Sequence, residues 1–173
     1  FNNLFMNVAE QMGLVLENTA SSVNIKERLD FSCALFSANG DLVANAPHVP
    51  VHLGSMSESI KTIIRENHDT MSPGDVFLIN APYNGGTHLP DITVIKPVYN
   101  EQNEQVIFYV ATRGHHSDIG GTVPGSAPAH SKHVKEEGIL IDNFTLVSKG
   151  VFLEGEIYNL LTSGEYPVRN VTD

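Results

Sequence analysis

Ile92-Thr93-Val94-Ile95-Lys96-Pro97-Val98-Tyr99-Asn100-Glu101-Gln102-Asn103-Glu104-Gln105-Val106-Ile107-Phe108-Tyr109-Val110-Ala111 holds two apolar runs around a polar hinge. The runs Ile92 to Val98 and Val106 to Ala111, like Val76 to Ile79 before them, are rich in the β-branched and aromatic residues that suit a pleated surface. Three strands buried on both faces are expected. The hinge Asn100 to Gln105 is short enough to join the last two as an antiparallel hairpin. Pairing outward from its centre sets Asp91 near Thr112 to Gly114, and His88 near His115 to Ser117, so the polar ends of the strands gather in one place.

Upstream, Leu4, Phe5, Val8, Met12, Val15 and Leu16 recur at helical spacing between Asn3 and Thr19, which predicts an amphipathic helix packed on the sheet. Phe31 to Phe36 and Asp41 to Ala44 flank Ser37-Ala38-Asn39-Gly40, a hairpin signal because Asn-Gly accepts positive φ. Leu53 to Asn67 predicts a second helix, with Ser55 and Glu58 in capping-box spacing at its start. Gly120 to Pro128 reads as a loop, Gly138 to Val147 as another strand pair, and Phe152 to Leu161 as a helix. Hairpins outnumber strand–helix alternations, so the fold class is α+β, an antiparallel or mixed sheet with packed helices. Residues 1–173 are expected to form a single domain taken from a longer polypeptide.

With 41% hydrophobic and 17% charged residues the chain can bury a core. A formal charge of −10 repels phosphate backbones and anionic membranes, which excludes nucleic acid as a natural partner. No apolar run approaches the roughly 18 to 20 residues that span a bilayer. Cys33 is the only cysteine, it sits in an apolar run where a core thiol is expected, and its isolation suits a reducing, cytosolic setting.

Two segments carry His-x-x-Asp. The first is Asn80-Ala81-Pro82-Tyr83-Asn84-Gly85-Gly86-Thr87-His88-Leu89-Pro90-Asp91, in which Gly85 and Gly86 would let backbone amides approach an oxyanion. The second is Gly114-His115-His116-Ser117-Asp118-Ile119-Gly120-Gly121. Either alone reads as a hydrogen-bonded turn. Together, at adjacent strand ends, they point to a divalent cation, because burying several imidazoles and carboxylates side by side without one costs several kcal/mol. Imidazole and carboxylate suit zinc, manganese or iron. His48 and His52 bracket a Pro-containing extended segment in which residues four apart face the same way, so both could reach one pocket; capping or packing on the following helix is the alternative. Phosphate-binding Gly-x-x-x-x-Gly-Lys-Ser/Thr, dinucleotide Gly-x-Gly-x-x-Gly and nucleophile-elbow Gly-x-Ser-x-Gly patterns are absent.

The chain resembles the hydantoinase B family over nearly its whole length. The likeness runs through Glu27-Arg28-Leu29-Asp30-Phe31-Ser32-Cys33-Ala34, His48 to Met56, Asn80 to Asp91, His115 to Gly125 and Glu136-Glu137-Gly138. This resemblance implies metal-site roles for His88, Asp91 and His115, with Asp118 a further candidate, as a ligand or as a group that orients a ring. It implies His48, His52 and Glu137 near the substrate. Asp118 or His116 would move protons. The resemblance further implies ATP-coupled opening of a cyclic amide, 5-oxoproline or a hydantoin, with ATP-Mg bound by a hydantoinase A-type subunit or fused segment in an oligomeric assembly. Arg113-Gly114 before the His pair looks more like 5-oxoprolinases than like acetone or acetophenone carboxylases, which remain the alternative enzyme reading. A non-catalytic, metal-stabilised assembly domain is the alternative outside enzymes.

Overall fold

The computed structural model describes residues 1–47, 49–125 and 128–171. It is α+β. Seven strands form one sheet in the order β2-β1-β5-β4-β3-β6-β7, and every neighbouring pair is antiparallel. They are β1 (Phe31–Ser37), β2 (Leu42–Asn45), β3 (Val76–Ile79), β4 (Asp91–Tyr99), β5 (Val106–His115), β6 (Phe144–Ser148) and β7 (Val151–Phe152). The longer helices are α1 (Asn2–Thr19), α3 (Pro50–Asn67) and α5 (Glu154–Thr162); α2 (Val23–Lys26) and α4 (Val134–Glu137) are single turns.

The central hairpin is the one expected, with one residue more. Val98 faces Phe108, yet Tyr99 faces Val106, so Ile107 is a bulge, and every pair below it moves by one position. Asp91 therefore faces His115, where even pairing would have put it against Gly114.

Alternation then sorts the sheet into two buried faces. On one, Met56, Ile60 and Ile63 of α3 meet Ala34, Phe36, Phe77, Ile79, Ile95 and Ala111, all 4% exposed or less. Truncating Ile60 to alanine would cost about 2–5 kcal/mol in lost transfer energy and cavity. On the other, Ala9 of α1 lies against Leu35 and Ala46, while Leu160 and Leu161 of α5 cover Leu78 and Ile92. α1 leaves Leu4, Val8 and Val15 exposed along an open groove that also reaches Thr112.

Two expectations are corrected. Helix α3 begins at Pro50 rather than Leu53, because proline's fixed φ suits the first turn and its missing N–H is not needed there. His52 thus stands on a helix and not in an extended segment, and Ser55 is no cap; its hydroxyl donates to the carbonyls of His52 and Val51. The strand pair expected within Gly138 to Val147 is replaced by the hairpin β6–β7, turning through Lys149 and Gly150, both at positive φ. Residues 139–141 are instead held by Asn80, fully buried, whose side chain donates to the Leu89 and Ile139 carbonyls and accepts from the Ile141 amide.

Candidate metal centre

Asp91 opens β4 and His115 closes β5, so their pairing plants both side chains at one corner of the sheet, on the α3 face. The corner is fastened by backbone: the His115 amide donates to the Asp30 carbonyl and the His116 amide to the Pro90 carbonyl. His88 folds back from the preceding loop. Its Nδ1 lies 3.2 Å from Asp91 Oδ2, and His115 Nδ1 lies 3.1 Å from Asp91 Oδ1. The two imidazole rings sit 5.1 Å apart, and one donor atom from each of the three residues falls within 4.8 Å of the others.

Two further groups complete the corner. His52, buried in the first turn of α3, points Nε2 at Asp91 Oδ2 (3.5 Å) and Asp30 Oδ1 (3.8 Å), while its Nδ1 meets the Ser32 hydroxyl at 3.2 Å. Asp30, immediately before β1, brings Oδ2 to 4.0 Å from His115 Nδ1. Sequence reasoning did not single out Asp30 as a ligand, although it lies inside the motif Glu27 to Ala34. Only the pairing of β1 with β5, Phe31 opposite Gly114, brings it here.

Burial alone would push the Asp91 carboxyl up. The hydrogen bonds of His115 and His88, with the charges of His88 and His52, outweigh it and hold Asp91 well below the usual carboxylate range. The Asp91 hydrogen bond pushes His115 up against its own burial. His52 moves the other way, because burial disfavours its charged form more than Asp91 and Asp30 favour it. The corner thus holds an ionised carboxylate, two imidazoles of opposite tendency and a half-exposed His88 facing solvent. Two imidazoles and a carboxylate are a donor set for zinc, manganese or iron that leaves positions free for water or substrate.

The other expected residues lie elsewhere. Asp118 is not in the cluster: it accepts from the Arg169 guanidinium (3.0 Å) and from the amides of Arg169 (2.7 Å) and Gly120 (3.0 Å). Burial raises its carboxyl, but these donors win and hold it low, as suits an anchor. His116 follows alternation to the opposite face, placing Nδ1 3.1 Å from the Gly114 carbonyl and lining a small apolar cavity with Asp118 and α5. Glu137 accepts from the Ser131 hydroxyl at 3.1 Å. The Gly86 amide donates within its own turn, to Ala81, so an oxyanion would not find it free. Gly85 and Gly86 serve close packing: a Cβ on Gly85 (φ +88°) would meet Thr62 Oγ1 at 2.7 Å, and one on Gly86 would meet the Asn80 carbonyl at 2.3 Å. His48 lies outside the described residues. Cys33 is fully buried, its thiol pushed up by burial, as a core thiol should be.

An antiparallel α+β fold with a His-Asp-His corner is a module with one candidate metal centre among its described residues. All of residues 1–173 match the family described as Hydantoinase B/oxoprolinase, and the chain belongs to that family. It is 55% identical over 161 residues to 5-oxoprolinase 1 of Arabidopsis thaliana, covering 93% of this chain and 13% of that one. The crystal structure of the ATP-dependent caprolactamase from Pseudomonas jessenii superposes with a TM-score of 0.80 at 30% identity, over 93% of this chain and 28% of that one. The nucleotide-free acetone carboxylase superposes with a TM-score of 0.79, over 91% of this chain and 21% of that one, but at 20% identity, a likeness of fold alone.

Proposed function

We propose that this chain is the N-terminal part of a hydantoinase B-type module in an ATP-coupled enzyme that opens a cyclic amide, with 5-oxoproline as the substrate, and that it carries the hydrolytic site. The observation that carries the reading is the convergence of His88, Asp91 and His115 donor atoms within 4.8 Å. The identity of 55% to a 5-oxoprolinase supports the choice of substrate.

A lactam is resonance-stabilised and a poor electrophile, so ATP would first phosphorylate the amide oxygen. That step belongs to a hydantoinase A-type partner or fused segment, since this sequence has no phosphate-binding glycine loop. Water then adds to the activated carbon, the carbon–nitrogen bond breaks with a proton passing to the departing nitrogen, and a second water hydrolyses the resulting acyl phosphate, leaving a carboxylate, an amine and inorganic phosphate. His88, Asp91 and His115 would hold one divalent cation, with Asp30 flanking it. Such a cation supplies Lewis acidity and lowers the pKa of a bound water towards neutrality.

The chain's own residues do the rest. Asp91 orients both imidazoles, one through each carboxylate oxygen. Thr87 fixes that carboxylate by donating to Oδ2 at 3.1 Å. His52, kept neutral near pH 7 by burial, is the group placed to accept a proton beside Asp30 and Asp91. His116 and Asp118 are not assigned that task, since one faces the other side of the sheet and the other is bound by Arg169. Replacing His88 by Ala in the full-length protein should remove bound metal and glutamate release from 5-oxoproline together; full turnover without His88 rejects the site. Bicarbonate-dependent consumption of a ketone, with no glutamate formed, would assign the protein to the carboxylases instead.

A further inference from the structure

Arg113 is fully buried beneath the candidate centre, two residues before His115. A buried guanidinium normally sits against a carboxylate, because desolvating the charge costs several kcal/mol. Among the described residues Arg113 has no carboxylate within salt-bridge distance, and its three nitrogens donate instead to three hydroxyls. Nε donates to Thr93 at 2.7 Å, one terminal nitrogen to Ser59 at 2.7 Å, and the other to Ser55.

Each hydroxyl leads to a segment of the site. Thr93 is two residues along β4 from Asp91. Ser55 donates to the His52 carbonyl at 3.0 Å. Ser59 donates to the Gly85 carbonyl, three residues before His88. Arg113 itself stands on the strand that ends in His115. One planar fork thus ties together the four segments that carry His115, Asp91, His52 and His88.

We propose that Arg113 is a positioning residue, whose three-hydroxyl fork fixes the relative placement of the cation ligands; this rests on the reading of His88, Asp91 and His115 as a cation site. The fixed charge itself works against a cation, since like charges repel. Coulomb's law alone therefore makes Arg113→Met bind metal more tightly, whereas loss of positioning makes it bind more weakly. The sign of the change separates the two roles. Lysine restores the charge but offers a single point donor in place of a fork.

The test titrates Co2+ into the full-length protein and follows 5-oxoproline turnover. Arg113→Met and Arg113→Lys should each lose at least tenfold in Co2+ affinity, and at saturating metal kcat should fall while KM changes less than twofold. Unchanged or tighter Co2+ binding in Arg113→Met, or full rescue by lysine, overturns the proposal. Because these variants alter a fully buried side chain, Ser59→Ala provides a second arm that keeps the arginine and removes the hydroxyl joining it to the Gly85 carbonyl. Severalfold weaker Co2+ binding is expected there, and wild-type affinity would overturn the proposal. If the wild-type protein takes up no Co2+ and His88→Ala behaves like it, the cation reading falls and this proposal with it; normal wild-type uptake with indifferent Arg113 and Ser59 variants sinks the positioning role alone.

Discussion

Asp30 shows what a single side chain adds at this corner. Its side chain is 38% exposed and lies about as far from His52 as from His115, so water screens its charge, and the proposed cation would be the partner that uses it. Asp30→Asn keeps shape and polarity but removes the charge, and it should weaken metal binding about 10- to 100-fold while leaving thermal stability within about 0.5 kcal/mol; equal metal affinity in a dialysis titration would remove Asp30 from the site. Asp118 illustrates the opposite case, a carboxylate serving the fold. Its folded-state pKa is depressed, so its contribution to stability is present above the ordinary aspartate value of about 3.9 and is lost as pH falls through the lower folded value. Arg169→Met should therefore be less stable than wild type at pH 7, by about 1 kcal/mol given the half-exposed arginine. Urea titrations should show that gap closing below about pH 4. A gap that persists once Asp118 is protonated would mean that Arg169 acts through its donation to the Gly121 carbonyl or through packing.

At the scale of elements, the β4–β5 register and the glycine turn decide whether His88, Asp91 and His115 meet. Deleting Ile107 would remove the bulge and leave Val106 against Tyr99 and Phe108 against Val98, so Asp91 would still face His115. That variant should keep both its far-UV dichroism and its stoichiometric metal, because the ladder below the bulge is unchanged; lost binding would mean that the twist of the bulge itself aims the corner. Gly85→Ala combines a positive φ with a Cβ 2.9 Å from the Glu58 carbonyl, so it should cost about 2 kcal/mol or more and displace His88, measurable as a lower unfolding midpoint with weaker Co2+ binding. The sequence made the strands β3, β4 and β5 and the helix α1 legible through local periodicity. It also brought His88, Asp91 and His115 together, because hairpin arithmetic needs only the hinge length. What it hid was non-local: the extra residue at Ile107, the Asn80 side chain standing in for a strand partner at residues 139–141, and Asp30 arriving through β1. Arg113 was legible as a family mark but not as a hub, since its three hydroxyl partners lie 20 to 58 positions away.

Across the whole molecule, the question is whether the fold would depend on the proposed cation. In small metal-folded domains the ligand cluster replaces a hydrophobic core, and chelation unfolds the chain. Here the sheet is covered on both faces by apolar clusters that do not include the ligands. Asp91 is already satisfied without metal by His115, His88 and Thr87, so no bare buried charge remains to drive unfolding. The cation should then act as an ordinary ligand of the folded state, adding RT ln(1 + [L]/Kd), or about 2.7 kcal/mol at a hundredfold excess over Kd. For a domain of this size that is a rise in unfolding temperature of about 5–10 °C. The full-length protein treated with chelator and dialysed should therefore stay folded by circular dichroism, lose turnover, and recover both stability and activity on adding back Zn2+ or Mn2+. Collapse of the dichroism on chelation would make the metal structural, and an unchanged unfolding temperature would leave the His-Asp-His corner without a cation to explain it.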